Sequence, residues 1–342
     1  MAGYAINPGD HIDAPLSNYL AATLPVSRIA DLVAPVVPVR RRTDKFYSWD
    51  KAAFLRTGED QRRARGTRPR VIEPSENVAG YMAQEYELSV LIEDGDYANT
   101  DSVLRLEQAK AVYLQGVMQM GRETRVAAAL RLAANGGQLG TSGSTLAGAN
   151  QWDNGGFTAA NLQRDIMVAR EAVRASTGYD PNTIIIPKAV AAVVARNSDI
   201  KTMISYLGGI DYIRGAQVPG GGSAERGYDG YQSANYLPST LFGLNVIEPG
   251  MVQNTAAEGA AASMSDVWGK DVRILYVKPG LPSMDVPSTM YTFRSTEYGT
   301  AGWNVRRWRE EAQRGNYLAV GIIDDERVVA TDMAYVYAAA IS

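Results

Sequence analysis

From Asp101 to about Ala134 the chain reads SVLRLEQAKAVYLQGVMQMGRETRVAAALRLA, without a proline and rich in Ala, Leu, Gln, Glu, Arg and Met. Val103, Leu106, Tyr113, Val117 and Met120 recur at separations of three, four or seven, the spacing of one face of a helix. Asp101 is a suitable N-cap, and Asn135-Gly136-Gly137 is a strong stop. At 1.5 Å per residue such a helix spans about 50 Å, well beyond the usual globular helix. The rest of the chain must be arranged along this spine.

What precedes the spine cannot form a core of its own. Residues 1–40 carry Pro8, Pro15, Pro25, Pro35 and Pro38, which block long helices and interrupt ladders, so an extended arm with at most one short helix is expected. The arm either docks on a neighbouring molecule or folds back on its own body. Residues 41–80 are polar and charged, and too poor in apolar periodicity to be a folded lobe. They read as a protruding two-stranded excursion with Phe46, Tyr47, Trp49, Phe54 and Leu55 as its apolar contacts. A lone hairpin is marginal in water, so it is expected to lean on a partner. The run Arg62, Arg63, Arg65, Arg68 and Arg70 lacks interleaved aromatics, and Glu59 and Asp60 precede it. Ion pairing between subunits therefore suits it better than a grip on nucleic acid.

Just before the spine, from Tyr81 onward, Met82, Gln84, Tyr86, Leu88, Val90 and Ile92 alternate with Ala83, Glu85, Glu87, Ser89 and Leu91, mostly as a half-buried strand should. After the spine the pattern becomes mixed. Ala159–Ser176 reads as a helix, Thr183–Ile186 as a strand, and Lys188–Arg196 and Asp199–Leu207 as helices. Leu241–Glu248 and Val272–Lys278 read as strands. An antiparallel meander near 289–298, 303–311, 316–323 and 327–338 closes the chain, with Asp324-Asp325-Glu326 expected at a solvated turn. No internal repeat is evident.

Composition narrows the chemistry. The 342 residues are 46% hydrophobic, enough for two lobes or one body with extensions. Cysteine is absent and His11 is the single histidine, so thiol chemistry, disulfides and the usual general base are excluded. The glycine-rich stretches at 136–143 and 220–222 lack the lysine and spacing of a phosphate loop. Glu93-Asp94-Gly95-Asp96 lacks the glycine position and terminal glutamate of a calcium loop. No catalytic, cofactor-binding or metal residue is expected. Basic and acidic residues number 34 and 37, a net of −3, which offers no surplus for sequence-independent DNA binding. No apolar run reaches the roughly 20 residues of a membrane span, and the N-terminus lacks a signal peptide. A soluble protein made in a cytoplasm is expected.

The order of arm, charged hairpin, spine helix, α/β lobe and closing β meander resembles the major capsid proteins of tailed bacteriophages, an α+β architecture called the HK97-like shell fold. The segment LPSTLFGLNVIEPGMVQNTAAEGAAASMSDVWGK, residues 237–270, is similar to that family's strand, small-residue loop and aspartate-initiated turn. PNTIIIPKAVAAVVARNSD, residues 181–199, is similar to its apolar strand ending at proline before a helix. The likeness runs from about residue 40 to the C-terminus. It implies an N-terminal arm (1–40), an extended loop (41–80), a peripheral domain (81–157 and 284–342, with the spine at 101–134) and an axial domain (158–283). In that layout Asn254, Thr255 and Glu258 lie on a loop at the capsomer axis. Phe46, Trp49, Phe54 and the five loop arginines would touch the next subunit.

The implied function is structural. Copies would self-assemble as pentamers and hexamers into an icosahedral shell enclosing double-stranded DNA, first in the host cytoplasm and finally in the virion. The chain itself, a separate scaffolding protein and a portal are the implied partners, a decoration protein being left open, with neither membrane nor cofactor. Lys45 and Lys51 lie where some members form a crosslink, but no motif assigns their partners. Two other readings stand beside this one: an encapsulin-type compartment of the same fold, and a hydrolase or transferase using carboxylates of the α/β lobe.

Overall fold

The computed structural model describes residues 11–12, 28–48, 62–63, 65–68, 77–98, 103–202, 235–257, 259–278, 287–298 and 302–342. In chain order, β1 (His11–Ile12) is followed by α1 (Ala30–Val33), β2 (Val36–Val39) and the strands β3 (Thr43–Ser48) and β4 (Asn77–Met82). Next come β5 (Gln84–Glu93), α2 (Asp94–Ala98), the spine α3 (Val103–Ala129), β6 (Gly143–Thr145), α4 (Ala159–Thr177), β7 (Thr183–Ile185) and α5 (Lys188–Arg196). The short strands β8 (Thr240–Leu241), β9 (Leu244–Ile247), β10 (Val252–Asn254), β11 (Met264–Asp266) and β12 (Val272–Leu275) lead to β13 (Met290–Ser295). The chain closes with β14 (Trp303–Glu310), β15 (Gly315–Val328) and β16 (Ala334–Ala338).

Two six-stranded sheets organise these elements. The first runs β1-β14-β15-β13-β2, with β5 on the free flank of β15; the second runs β6-β16-β12-β7-β9-β8. The spine lies on the first sheet, where Ala111, Leu114 and Met118 meet Trp303, Val305, Leu318, Val320 and Ile322. α4 and α5 cover the second sheet, burying Leu162, Ile166, Val190 and Val194 against Ile184, Val272 and Ile274. A third cluster joins the two, bringing the spine end (Val126, Leu130) to Val33, Trp268, Leu275 and Met290. Gly315 is demanded by the first sheet: a Cβ there would sit 2.7 Å from the Ile92 carbonyl oxygen, so β5 pairs this closely only with glycine.

The spine is shorter than its sequence suggests. It ends at Ala129 rather than Ala134, and its 27 residues span about 40 Å. Its last carbonyls find partners that turn the chain early. Arg273 donates to the carbonyls of Leu130 and Ala127, and the Gln138 amide donates to that of Ala129. Partners of this kind satisfy a helix end as well as a further turn would. The middle of the stripe read from sequence faces outward, while Leu106 and Met120 are half-buried. Tyr113 is 65% and Val117 39% exposed, while the buried side carries Ala111, Leu114, Gln115, Met118, Arg122, Glu123 and Val126. Both sides of this helix hold apolar residues, so periodicity alone could not assign the inner one.

Four strand assignments also change. Leu241–Glu248 is not one strand but a tight hairpin, β8 on β9, turned by Phe242 (φ 48°) and Gly243 (φ 81°). Two consecutive positive φ values make the primed turn that suits hairpin twist, and Arg170 holds Phe242 there by donating to its carbonyl at 2.7 Å. The expected break at Asp324-Asp325 does not occur, because β15 runs through to Val328. The stretch 327–338 is divided: β16 crosses to the second sheet and pairs with β12 and β6. Both β6 and β16, placed in the peripheral segments 81–157 and 284–342 from sequence, therefore lie in the sheet of the 158–283 lobe. Finally, Ala83 interrupts the strand read from Tyr81 onward. Before it Tyr81 is buried and Met82 exposed; beyond it Tyr86, Val90 and Ile92 turn to the core.

The described part of the arm packs on its own chain. β1 pairs with β14 at Arg306 and Arg307, and β2 runs parallel to β13. Between them a strap, residues 28–34 around α1, crosses the flank of the spine.

Candidate assembly surfaces

The extended hairpin is built by pairing β3 with β4 from Thr43–Met82 to Ser48–Asn77. One face is anchored to the body. Phe46 is buried with its ring 5.0 Å from Phe293, and Tyr81 stacks on the same ring at 4.5 Å. Phe46, expected at a subunit contact, is thus packed within its own chain. An ionic clamp holds the root: Arg42 pairs with Glu297 at 2.6 Å and Glu85 at 3.0 Å, and the Tyr298 hydroxyl donates to Glu85. Asp325, taken from sequence for a turn residue, accepts from the Met82 amide at 2.8 Å. The opposite face presents exposed Val78 and Met82.

Beyond this root Arg62, Arg63, Arg65 and Arg68 are all exposed, and Arg63 donates to the Thr67 carbonyl at 2.7 Å. Trp49, Phe54 and Arg70 lie outside the described residues, as does Glu258. Asn254 and Thr255 stand at the end of the β10–β11 hairpin. The Asn254 carboxamide oxygen accepts from the amides of Ala256 and Ser263, so this residue shapes the tip rather than offering itself freely. Val252 and Met264 are exposed on one face, because residues paired across a ladder, and their second neighbours, share a side. On the other face Gln253 accepts from the Thr124 hydroxyl of the spine at 3.3 Å.

The strongest charge constellation was missed in the sequence. Asp324, 0% exposed, and Glu326 continue the inward side of β15 directly after Leu318, Val320 and Ile322. Arg294 grips Asp324 with two bonds of 2.8 and 2.9 Å, and Arg125 grips Glu326 with two of 2.9 Å. Arg122 reaches Asp31 of the strap at 2.6 Å and donates to Thr292. Burial disfavours the charge on Arg125 and Arg294, but the bidentate carboxylates outweigh it and raise both above the ordinary arginine range. The available signal was the period of two carried into the acids, matched by Arg122 and Arg125 three apart on the spine.

Three further buried charged groups serve the backbone. Arg273, fully buried, is pushed down to about 10 by desolvation, and its guanidinium also donates to the carbonyls of Trp268 and Asp271. Burial raises Glu123 and Glu248 above the usual glutamate value. Glu248 accepts from the amides of Tyr236 and Leu237, and Glu123 from those of Ile29 and Ala30. Among the described residues no three His, Cys, Asp or Glu side chains gather as a metal site requires, and no helix is long and apolar enough to cross a membrane.

A spine helix laid on a sheet, a second sheet covered by two helices, and a hairpin extended from the root of the first define the HK97-like shell fold. The chain is similar to a phage-related protein from Bordetella bronchiseptica RB50, with 18% identity, 96% of this chain and 97% of that one covered, and a TM-score of 0.69. It is also similar to the capsid of the cyanophage P-SCSP1u (12% identity, 92% and 88% covered, TM-score 0.56) and to the mature capsid of bacteriophage PhiM1 (10%, 92% and 88%, 0.51). No protein-family model and no curated protein matches the sequence.

Proposed function

We propose that this chain is the major capsid protein of a tailed bacteriophage. Copies self-assemble as pentamers and hexamers into an icosahedral shell that encloses double-stranded DNA. The observation that carries the reading is the extended hairpin. It is rooted firmly by Phe46, Tyr81 and Arg42, yet its outer face leaves Val78 and Met82 exposed, and Arg62, Arg63, Arg65 and Arg68 beyond it are exposed as well. A subunit that tiles needs such a projection, and a monomeric enzyme does not. Three buried ionisable groups support a structural role, since Glu123, Glu248 and Arg273 are all engaged by backbone groups. The axial position of Asn254 and Thr255, and the pairing of the loop arginines with a neighbour, belong to this proposal. So do a scaffolding protein and a portal as partners, and assembly in the host cytoplasm before residence in the virion.

The test is gradient sedimentation of the full chain, expressed with its scaffold and portal, beside a variant lacking residues 52–66. Fast-sedimenting particles from the full chain, reduced or abolished in the variant although its subunit still folds, are expected. A full chain that stays at the top of the gradient contradicts the assignment. Equal yields of equally stable particles contradict the role given to the loop. Particles filled with a protein cargo instead of DNA redirect the reading to an encapsulin-type compartment.

A further inference from the structure

Glu123 is 1% exposed and sits where three parts of the chain meet. One carboxylate oxygen accepts from the Trp268 indole N–H at 2.8 Å and the Ile29 amide at 3.2 Å. The other accepts from the Ala30 amide at 2.9 Å. Ile29 and Ala30 open the strap, which leads through β2 into the extended hairpin. Trp268 closes the root of the β10–β11 hairpin, where the Val267 amide donates to the Met251 carbonyl. The strap and this hairpin come from opposite ends of the sequence, and a single carboxylate of the spine bonds to both.

We propose that Glu123 is a coupling joint: through it, the β10–β11 hairpin and the strap 28–34 are held in one arrangement, and loosening either loosens the other. The donors from both segments fix the position of one carboxylate, so releasing one set lets the Glu123 side chain shift and weakens the bonds to the other. The charges facing the carboxylate are Arg28 and Arg122. Arg28 donates to the Gly116 carbonyl and Arg122 to Asp31, so both cations around the joint are themselves tied to the strap or belong to it. Such coupling is reciprocal, since a free energy linking two sites acts equally in both directions.

Hydrogen–deuterium exchange on unassembled full-length subunits reads this directly. Trp268→Phe keeps the ring in the core and removes only its N–H. Exchange in peptides spanning 28–34 should rise about tenfold, the scale of a lost charge-assisted hydrogen bond, with β15 exchanging as in the unaltered chain. Asp31→Asn, which weakens the strap's pair with Arg122 at 2.6 Å, should in turn speed exchange across 264–269. In a Glu123→Gln background the effect of Trp268→Phe on the strap should shrink towards none. Changes confined to the neighbourhood of each substitution overturn the proposal. If Trp268→Phe fails to fold, the Asp31→Asn arm decides alone.

Discussion

Asp324 lies in the middle of a strand with no exposed surface, and its two oxygens are held by Arg294. Replacing a buried ion pair by apolar groups can be neutral, but removing one partner strands the other charge. Asp324→Ala should therefore cost about 3–5 kcal/mol, measured by denaturant unfolding of unassembled subunits, because Arg294 and Arg122 remain in place. A loss below about 1 kcal/mol would mean that water reaches the site. Glu123 gives a second prediction, about pH. Its carboxyl titrates above the 4.5 of a free glutamate because burial outweighs its donors. A group whose folded value is raised adds stability that is complete below the unfolded value and lost as pH rises through the folded one. Glu123→Gln cannot titrate, so unaltered chain minus variant should fall in stability from about pH 4.5 upward, then level. Parallel stability curves would show that burial does not raise Glu123 above its unfolded value.

The spine and its neighbours show what a sequence pattern can and cannot fix. The helix itself was legible, since no proline interrupts it and Val103 to Met120 recur at helical spacing. Its orientation was not, because Leu114 and Met118 on one side compete with Tyr113 and Val117 on the other. The contrast yields a prediction. Met118→Ala should cost about 2–5 kcal/mol in subunit stability by denaturant unfolding. Tyr113→Ser together with Val117→Thr should change it by about 0.5 kcal/mol or less. Comparable losses from both would place the outer stripe against something within the subunit. Strands were legible where alternation was clean, as in β14, and misread where polar residues faced inward. Asp324 and Glu326 looked like a turn because consecutive acids usually mark a solvated one, and the period of two they keep is readable only once their arginines are known, about 30 to 200 residues away in sequence. The β8–β9 hairpin was missed because its turn begins with Phe242, a residue that rarely takes positive φ.

At the scale of the whole molecule, charges of the spine are answered within the subunit. Read from sequence, the spine carries an excess of arginine and lysine, but Arg122 and Arg125 answer Asp31 and Glu326 within the subunit. These two spine cations are therefore taken up within the subunit, and the chain as a whole has a net charge of −3. Titration of unassembled subunits with duplex DNA across a range of salt concentrations should show weak binding with a shallow salt slope. Sub-micromolar affinity with a steep slope would show phosphates displacing counterions along the surface. The order of arm, hairpin, spine, lobe and meander was readable because each has its own proline, charge or periodicity signature. The crossing of β16 into the second sheet was not, since pairing partners leave no mark on a strand's own sequence. The proposed function requires that the subunit's exposed surfaces be covered by further copies of the chain. Electron microscopy of the chain, purified after expression with its scaffold and portal, addresses that claim most directly. The account predicts closed icosahedral shells whose capsomers are rings of five and six. A chain that remains monomeric or dimeric at high concentration with both partners supplied would contradict it.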